Sequence, residues 1–284
     1  MIIFKHQVMK QGYKNILALI GLFLLGLLIS NTLLIGVSLL ASDFVATHNT
    51  AWLRISQCFT VLCSFVCPAL YMLRNEIKTS TFIGHKDLNT PIYCYSLLAW
   101  LGMTPLVNLA DNINHRLADI THWDYLTTLQ STLEVATQRL IEFDNFWEFL
   151  AVILIVAILA AFAEELFFRG AMQSALIKTI TPTAAIIIVA GLFSAMHGEL
   201  LSLLPRFILG VLFGYLAWRT KTLTITILLH ILNNTVALLA THYQLQILEN
   251  IGTGDTWYLC LAGAAITIYA IYKIEENYSH IDVQ

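Results

Sequence analysis

Residues 150–170 read LAVILIVAILAAFAEELFFRG, an apolar run long enough to cross a membrane that ends in two carboxylates and an arginine. The carboxylates are Glu164 and Glu165, and Arg169 follows Glu165 by four residues. A carboxylate in hydrocarbon carries a large free-energy cost unless it is paired, protonated or facing water. This stretch therefore predicts a functional site at membrane depth.

The composition of the whole chain agrees with a membrane protein. Of its 284 residues, 58% are hydrophobic and 12% are charged, whereas soluble domains have about 25% charged residues. The net charge of −3 and the absence of a basic cluster give no reason to expect a nucleic-acid partner. The first apolar run is too long for a cleaved signal peptide, and it predicts a retained membrane anchor.

The apolar runs predict an all-α polytopic membrane protein, a bundle of about eight transmembrane helices. The predicted spans are 16–41, 52–73, 91–110, 146–168, 182–200, 204–218, 222–241 and 256–273. Apolar residues recur at helical spacing within the polar segment 111–144, from Leu117 and Ile120 to Leu140. This pattern predicts an amphipathic helix on the outer surface, between spans three and four.

Two regions are expected within one integral membrane unit. Residues 1–145 would hold the first three spans and the outer amphipathic segment, and residues 146–284 would hold the remaining spans and the acid pair. Basic residues predict the orientation, because cytoplasmic loops carry an excess of lysine and arginine. Their bias places both termini in the cytoplasm; the residues counted on that side are Lys5, Lys10, Lys14, Arg74, Lys78, Lys86, Lys178, Arg219, Lys221 and Lys273.

Glu165 and Arg169 are predicted to share one face of a helix, while Glu164 points about 100° away. One carboxylate can then be held by Arg169 while the other faces a cavity and acts as a general base. The alternative is a helix that ends at the cytoplasmic interface with exposed charges.

Two later spans carry polar side chains at the same four-residue spacing. Phe193 precedes His197 by one helical turn and can pack against its ring, and His230 and Asn234 share a helix face. Each group has a structural alternative, since membrane helices use such side chains for interhelical hydrogen bonds. Together with the acid pair, however, they supply the base, proton carrier and neutral donors that attack of water on an amide requires.

These segments resemble the signature of the CAAX-protease and bacteriocin-processing family, called CPBP or Abi. The family motifs EExxxR, FxxxH and HxxxN correspond to Glu164-Glu165-x-x-x-Arg169, Phe193-x-x-x-His197 and His230-x-x-x-Asn234, in the expected order. The resembling region runs from about residue 147 to residue 240. The resemblance implies an eight-helix intramembrane endopeptidase whose partners are the lipid bilayer and a peptide or protein substrate at the membrane.

The family's eukaryotic members release the last three residues of prenylated CAAX tails. Prokaryotic relatives are linked to peptide processing, bacteriocin immunity or anchoring of surface proteins, and a prokaryotic cytoplasmic membrane is expected here. Carried over by motif, Glu164 would activate water and His197 would orient it. His230 and Asn234 would stabilise the oxyanion, and Glu165 and Arg169, with Phe193, would support the site.

Three alternatives remain open at this stage. The site could be metal-free, or Glu164, His197 and His230 could hold Zn²⁺ with a fourth position open to water, although the HExxH zinc signature is absent. The protein could be a non-catalytic bacteriocin-immunity factor. It could also be a transporter that uses the acid pair as a proton site, although no inverted repeat is evident.

The predicted spans create one geometric conflict. Glu164 lies near the cytoplasmic end of span 146–168, whereas His197 lies near the opposite end of span 182–200. The two residues can meet only if the fifth span starts deep in the membrane or the fourth continues past Arg169.

Overall fold

A computed structural model describes residues 2–77, 90–121 and 124–281, and within these ranges every regular element is a helix. The elements are α1 (Ile2–Leu40), α2 (Ser42–Thr47), α3 (Asn49–Val61), π1 (Leu62–Val66), α4 (Cys67–Ile77), α5 (Thr90–Thr121), α6 (Asp124–Ile141), α7 (Phe146–Val152), π2 (Ile153–Leu159), α8 (Ala160–Glu164), π3 (Glu165–Gln173), α9 (Ser174–Ile177), α10 (Pro182–Met196), α11 (Leu203–Thr220), α12 (Thr224–His242), α13 (Gln246–Glu249) and α14 (Tyr258–Ile281). Short 3₁₀ turns lie at Leu200–Ser202 and Gly254–Thr256.

Seven of the described helical stretches are long and apolar enough to cross a membrane, which confirms the predicted fold class of an integral membrane helix bundle. They are Gly12–Leu40, Asn49–Arg74, Thr90–Ile120, Phe146–Ile177, Leu200–Thr220, Thr224–His242 and Tyr258–Tyr278. The shorter apolar helix α10 takes the place of the predicted fifth span. The seven long stretches are called here the first to fourth and sixth to eighth spans, in chain order.

The fourth span is longer than predicted. The prediction of 146–168 placed its end at the first charges, but the helix continues to Ile177. It begins where Asn145 caps it, because the Asn145 side chain accepts hydrogen bonds from the backbone N–H groups of Trp147 and Glu148, each at 3.1 Å. The charges do not end this helix because Glu165 and Arg169 are buried and paired with each other within the bundle.

The fifth helix is shorter than predicted. The prediction of 182–200 is wrong at its C-terminal end, since α10 spans Pro182–Met196. Thr181 caps it and Pro182 occupies its first turn, a favoured start for a helix. At 1.5 Å per residue its 15 residues cover about 22 Å, less than a hydrocarbon core of about 30 Å. α10 is therefore too short to cross such a core by itself, and His197 follows it directly.

The outer segment is organised differently from the prediction. The third span, predicted to end at residue 110, continues as α5 to Thr121, so Leu117 and Ile120 belong to that helix. A separate helix, α6, follows. Arg54 of the second span holds the end of α6, because its guanidinium donates to the carbonyls of Leu140, at 3.3 Å, and Glu142.

Aromatic packing divides the fourth span into two faces. Phe167 and Phe168 are buried, and their rings pack against Phe65 of the second span with centroids 5.2 and 6.1 Å away. Phe23 of the first span joins this cluster. The first two spans thus cover the apolar face of the fourth, which leaves Glu165 and Arg169 on the face towards α11 and α12.

The predictions of orientation and of a boundary near residue 145 are not tested by this architecture and stay predictions. Two of the lysines on which the orientation rests, Lys78 and Lys86, lie outside the described residues.

The first and second spans approach each other most closely at Gly26. A Cβ atom at this position would overlap the backbone carbonyl of Cys63, whereas one at Gly36 of the same helix would meet no atom within 4 Å. We expect Gly26→Ala to destabilise the protein by about 1–3 kcal/mol, because the two backbones must move apart.

Thermal unfolding in detergent measures this difference, and Gly36→Ala is the matched control. That variant should be neutral or slightly stabilising, since alanine is the better helix former by about 1 kcal/mol. Equal unfolding temperatures for the two variants would contradict the described packing.

Candidate active site

The acid pair lies where the fourth span changes its helical geometry. α8 ends at Glu164, and the π-helical stretch Glu165–Gln173 follows. Another π-helical stretch, Ile153–Leu159, lies one turn earlier. Such stretches are rare and frequently mark functional sites, because they alter the backbone hydrogen bonds and redirect side chains.

A ladder of three buried polar side chains joins the fourth span to α11. Arg169 Nη1 donates to Glu165 Oε1 at 2.9 Å, and Arg169 Nη2 donates to the carbonyl of Gly210 at 3.3 Å. One turn further on, Gln173 Nε2 donates to the carbonyl of Gly214 at 2.8 Å. The side chains of Glu165 and Arg169 are completely buried, which confirms that the two residues share a face.

Glycine is required at both contact points on α11. A Cβ at Gly214 would come within 2.8 Å of Gln173 Oε1, and one at Gly210 within 3.0 Å of the Ala190 side chain on α10. Small residues four apart let membrane helices approach closely. Here the close approach brings backbone carbonyls within reach of Arg169 and Gln173.

His230 lies between the two glutamates. Its Nδ1 is 2.9 Å from Glu165 Oε1, the oxygen that also accepts from Arg169, and its Nε2 is 3.7 Å from Glu164 Oε2. Because a carboxylate paired with arginine is an acceptor only, Nδ1 carries the hydrogen. In the neutral ring the Nε2 lone pair then faces Glu164.

His197 approaches the same oxygen from the end of α10. Its Nδ1 lies 2.8 Å from the Phe193 carbonyl, so this nitrogen is also the donor, and its Nε2 is 3.8 Å from Glu164 Oε2. The long fourth span and the short α10 together resolve the depth conflict. Glu164 lies near the middle of its helix, and α10 ends at the same level of the bundle, so His197 lies beside Glu164.

Phe193 packs against His197 as predicted. The two rings meet edge to face with centroids 4.9 Å apart. The same phenyl ring lies 5.9 Å from the His230 ring, and the Arg169 guanidinium carbon lies 4.6 Å from its centroid. Phe193 thus packs against both imidazoles and against the guanidinium of the buried ion pair.

The loop after His197 is held by contacts that the sequence analysis did not identify. Glu199 forms an ion pair with Arg206 of α11, and the Ser194 hydroxyl donates to the carbonyl of Leu203. Asn114, in the part of α5 that extends beyond the predicted third span, donates to the carbonyl of Leu201 at 3.0 Å. The only sequence signal was a pair of opposite charges next to apolar runs, and their pairing depends on the turn at Gly198, which has a φ of 72°.

Asn234 and Asn233 point in different directions, as expected. The Asn234 amide donates to the carbonyl of Val156, within π2, at 3.3 Å, whereas Asn233 accepts from Trp100 Nε1 of the third span at 3.3 Å. Asn234 therefore ties the seventh span to the fourth. One amide hydrogen is used in this bond, and the second is left for another acceptor.

Glu164 is the least satisfied member of the group. Its side chain is 18% exposed, and its Oε2 has no hydrogen-bond partner among the described residues. A buried carboxylate oxygen without a donor is costly, yet two imidazole nitrogens point towards it from just beyond hydrogen-bond distance. A water held between these atoms would face one carboxylate and two nitrogen lone pairs.

The same three residues can be tested as zinc ligands. A carboxylate and two imidazoles are suitable donors, but neighbouring ligands around a tetrahedral zinc lie about 3.4 Å apart, and both nitrogens are further from Oε2 than that. Among the residues that the structure describes, no group of three His, Cys, Asp or Glu side chains is arranged to hold a metal ion.

Fold and site together define an integral membrane protein with a carboxylate and two histidines gathered inside the bundle. Residues 146–236 match the family model described as type II CAAX prenyl endopeptidase Rce1-like. This match confirms the resemblance to the CPBP family, and its range contains all seven residues singled out from the sequence. Searches of curated proteins and of solved structures returned no significant match.

The buried ion pair between Glu165 and Arg169 allows the stability of substituted proteins to be predicted. Arg169→Met should lower the free energy of unfolding by about 3–5 kcal/mol, because it leaves the Glu165 carboxylate buried without its cation. Adding Glu165→Gln should restore much of that stability, since the amide oxygen still accepts from His230 and no unpaired charge remains.

Denaturation of the single and double variants in the same detergent measures this coupling. A double variant that is less stable than Arg169→Met would show that the pair does not act as described.

Proposed function

We propose that this protein is an intramembrane endopeptidase that hydrolyses a peptide bond in a membrane-associated or hydrophobic peptide, with Glu164 activating water. The observation that carries the proposal is the convergence of His197 Nε2 and His230 Nε2 on the unpaired Glu164 oxygen, at 3.8 and 3.7 Å. The Rce1-like match supports the same class of activity, a CAAX-type protease and hydrolase.

In the first step Glu164 removes a proton from the water, and the hydroxide adds to the carbonyl carbon of the substrate. His197 orients this water, because its Nε2 lone pair accepts the second hydrogen while Nδ1 stays bonded to Phe193. A positioned base of this kind contributes about 10²–10⁴-fold to the rate.

His230 and Asn234 act on the tetrahedral intermediate. The proton taken by Glu164 can pass to His230 Nε2, and Glu165 on the other nitrogen stabilises the imidazolium that forms. The imidazolium and the second Asn234 amide hydrogen then donate to the oxyanion. The C–N bond breaks as the proton is returned to the leaving amine, and the product carboxylic acid is left behind.

A non-catalytic immunity factor is less well supported. Interhelical hydrogen bonds would explain Asn233, Gln173 and Arg169, which all have partners. They would not explain why the Nε2 atoms of two histidines face the same unpartnered oxygen of Glu164, at 3.8 and 3.7 Å. The proposal includes a prokaryotic cytoplasmic membrane, and the distribution of basic residues supports an orientation with both termini in the cytoplasm.

The test uses purified protein in lipid nanodiscs and a library of hydrophobic peptides read by mass spectrometry. Glu164→Gln preserves the shape of the side chain and removes the base, so the rate of cleavage should fall by at least about 10²-fold while the unfolding temperature stays near that of the unchanged protein. Glu148→Gln is the control, because this glutamate lies at the outer end of the same helix and forms part of its cap. Full cleavage by the Glu164→Gln protein would refute the proposed mechanism.

The same cleavage assay distinguishes the glutamate mechanism from the metal-dependent alternative. Activity that survives dialysis against a strong chelator supports the glutamate mechanism. Activity that is lost and then restored by Zn²⁺ would overturn it in favour of the metal-dependent alternative.

A further inference from the structure

A separate pocket of about 410 Å³ lies at the predicted cytoplasmic end of the bundle. It is formed where the fourth and sixth spans end and the seventh begins. Its lining consists of Arg169, Gln173, Ser174, Ile177, Lys178, Ala217, Trp218, Lys221, Thr222 and Leu223. The pocket is separate from the candidate active site, because its lining does not include Glu164, His197 or His230.

Two residues that line the pocket carry buried polar atoms without partners. Arg169 and Gln173 are each only 2% exposed. Although each makes the ladder contacts described above, Arg169 Nε and Gln173 Oε1 have no hydrogen-bond partner among the described residues. A ligand that offers both an acceptor and a donor would satisfy this buried donor and this buried acceptor.

The mouth of the pocket is basic and aromatic. Lys178 and Lys221 follow the last residues of their helices, and the Lys221 ammonium lies 5.9 Å from the centroid of the Trp218 ring. Lysines at helix C-termini also offset the helix dipole. That role accounts for the two lysines but not for the buried atoms of Arg169 and Gln173.

We propose that this pocket binds the headgroup of an anionic phospholipid that carries hydroxyl groups, such as phosphatidylglycerol. Basic pockets between transmembrane helices on the cytoplasmic side bind anionic headgroups, and tryptophan is enriched at the same level of the bilayer. The phosphate would lie between the lysines and Arg169 Nε, and a headgroup hydroxyl would donate to Gln173 Oε1. Ile177 and Leu223 provide apolar contacts for the glycerol backbone.

The buried ion pair favours a lipid over the end of the peptide substrate. A peptide that reached from Glu164 to this pocket would have to pass the side chains of Glu165 and Arg169, which are completely buried.

Arg169 lines the pocket and also forms the ion pair with Glu165. A lipid bound in the pocket can therefore affect the catalytic residues through this arginine. The arginine that would contact the phosphate also holds Glu165, and Glu165 holds His230 Nδ1. A bound headgroup would therefore fix the position of this ion pair. Anionic lipid is expected to raise the rate of cleavage, an expectation that rests on the proposed function.

Binding is tested separately from proteolysis, on the Glu164→Gln protein. The protein is reconstituted in phosphatidylcholine alone or in an equal mixture with phosphatidylglycerol, and retained lipid is counted by native mass spectrometry. Retention of phosphatidylglycerol should fall roughly tenfold or more in the Lys178→Gln/Lys221→Gln variant, since each lysine near the bilayer surface favours an anionic lipid. Lys273→Gln is the control, because Lys273 lies at the end of the eighth span and pairs with Glu276.

Three results would overturn the proposal. They are equal retention by the double-lysine variant, displacement of the lipid by soluble glycerophosphate alone, and displacement by a short peptide with a free C-terminal carboxylate. Lysine-dependent retention without any cleavage by the unchanged protein would support the lipid site and count against the proposed function.

Discussion

The buried ion pair between Glu165 and Arg169 connects the fourth span to α11 and α12. Two opposite charges within one helical turn allow a single helix to carry both through the membrane, because neither is left uncompensated in hydrocarbon. The same carboxylate oxygen fixes His230, and the same guanidinium reaches the Gly210 carbonyl. This ion pair thus allows the fourth span to continue past its charges, attaches α11 to it and orients the His230 imidazole.

The proposed chemistry follows from a difference in helix length. A long fourth span places Glu164 near its middle, and the short α10 ends beside Glu164, with His197 as its next residue. Glu164 is left without a strong partner because Glu165 takes both Arg169 and His230 Nδ1. The two adjacent glutamates therefore differ in environment: one is structural, and the other is available to act on water.

Side-chain contacts and directions within one helix of this site could be predicted from sequence, whereas most contacts between different helices could not. The pairing of Glu165 with Arg169, the contact of Phe193 with His197 and the divergence of Asn233 from Asn234 all follow from helical periodicity. The end of the fourth span was predicted wrongly because charge normally marks a membrane boundary. Gln173 and Arg206 were missed because their partners lie on other elements, and nothing in the sequence brings those elements together.

The proposed mechanism requires the fourth span to continue to Ile177 with Glu165 and Arg169 buried, so that Glu164 lies near the middle of the span. Labelling with a membrane-impermeant thiol reagent tests this continuation. Single cysteines at Ala171, Ala175 and Lys178 are introduced one at a time into a cysteine-free protein in native membranes. We expect the positions of Ala171 and Ala175, which are buried, to be protected and the position of Lys178 to be labelled from the predicted cytoplasmic side. Rapid labelling at all three positions would show that the span ends near residue 168 and would refute the proposed arrangement of the site.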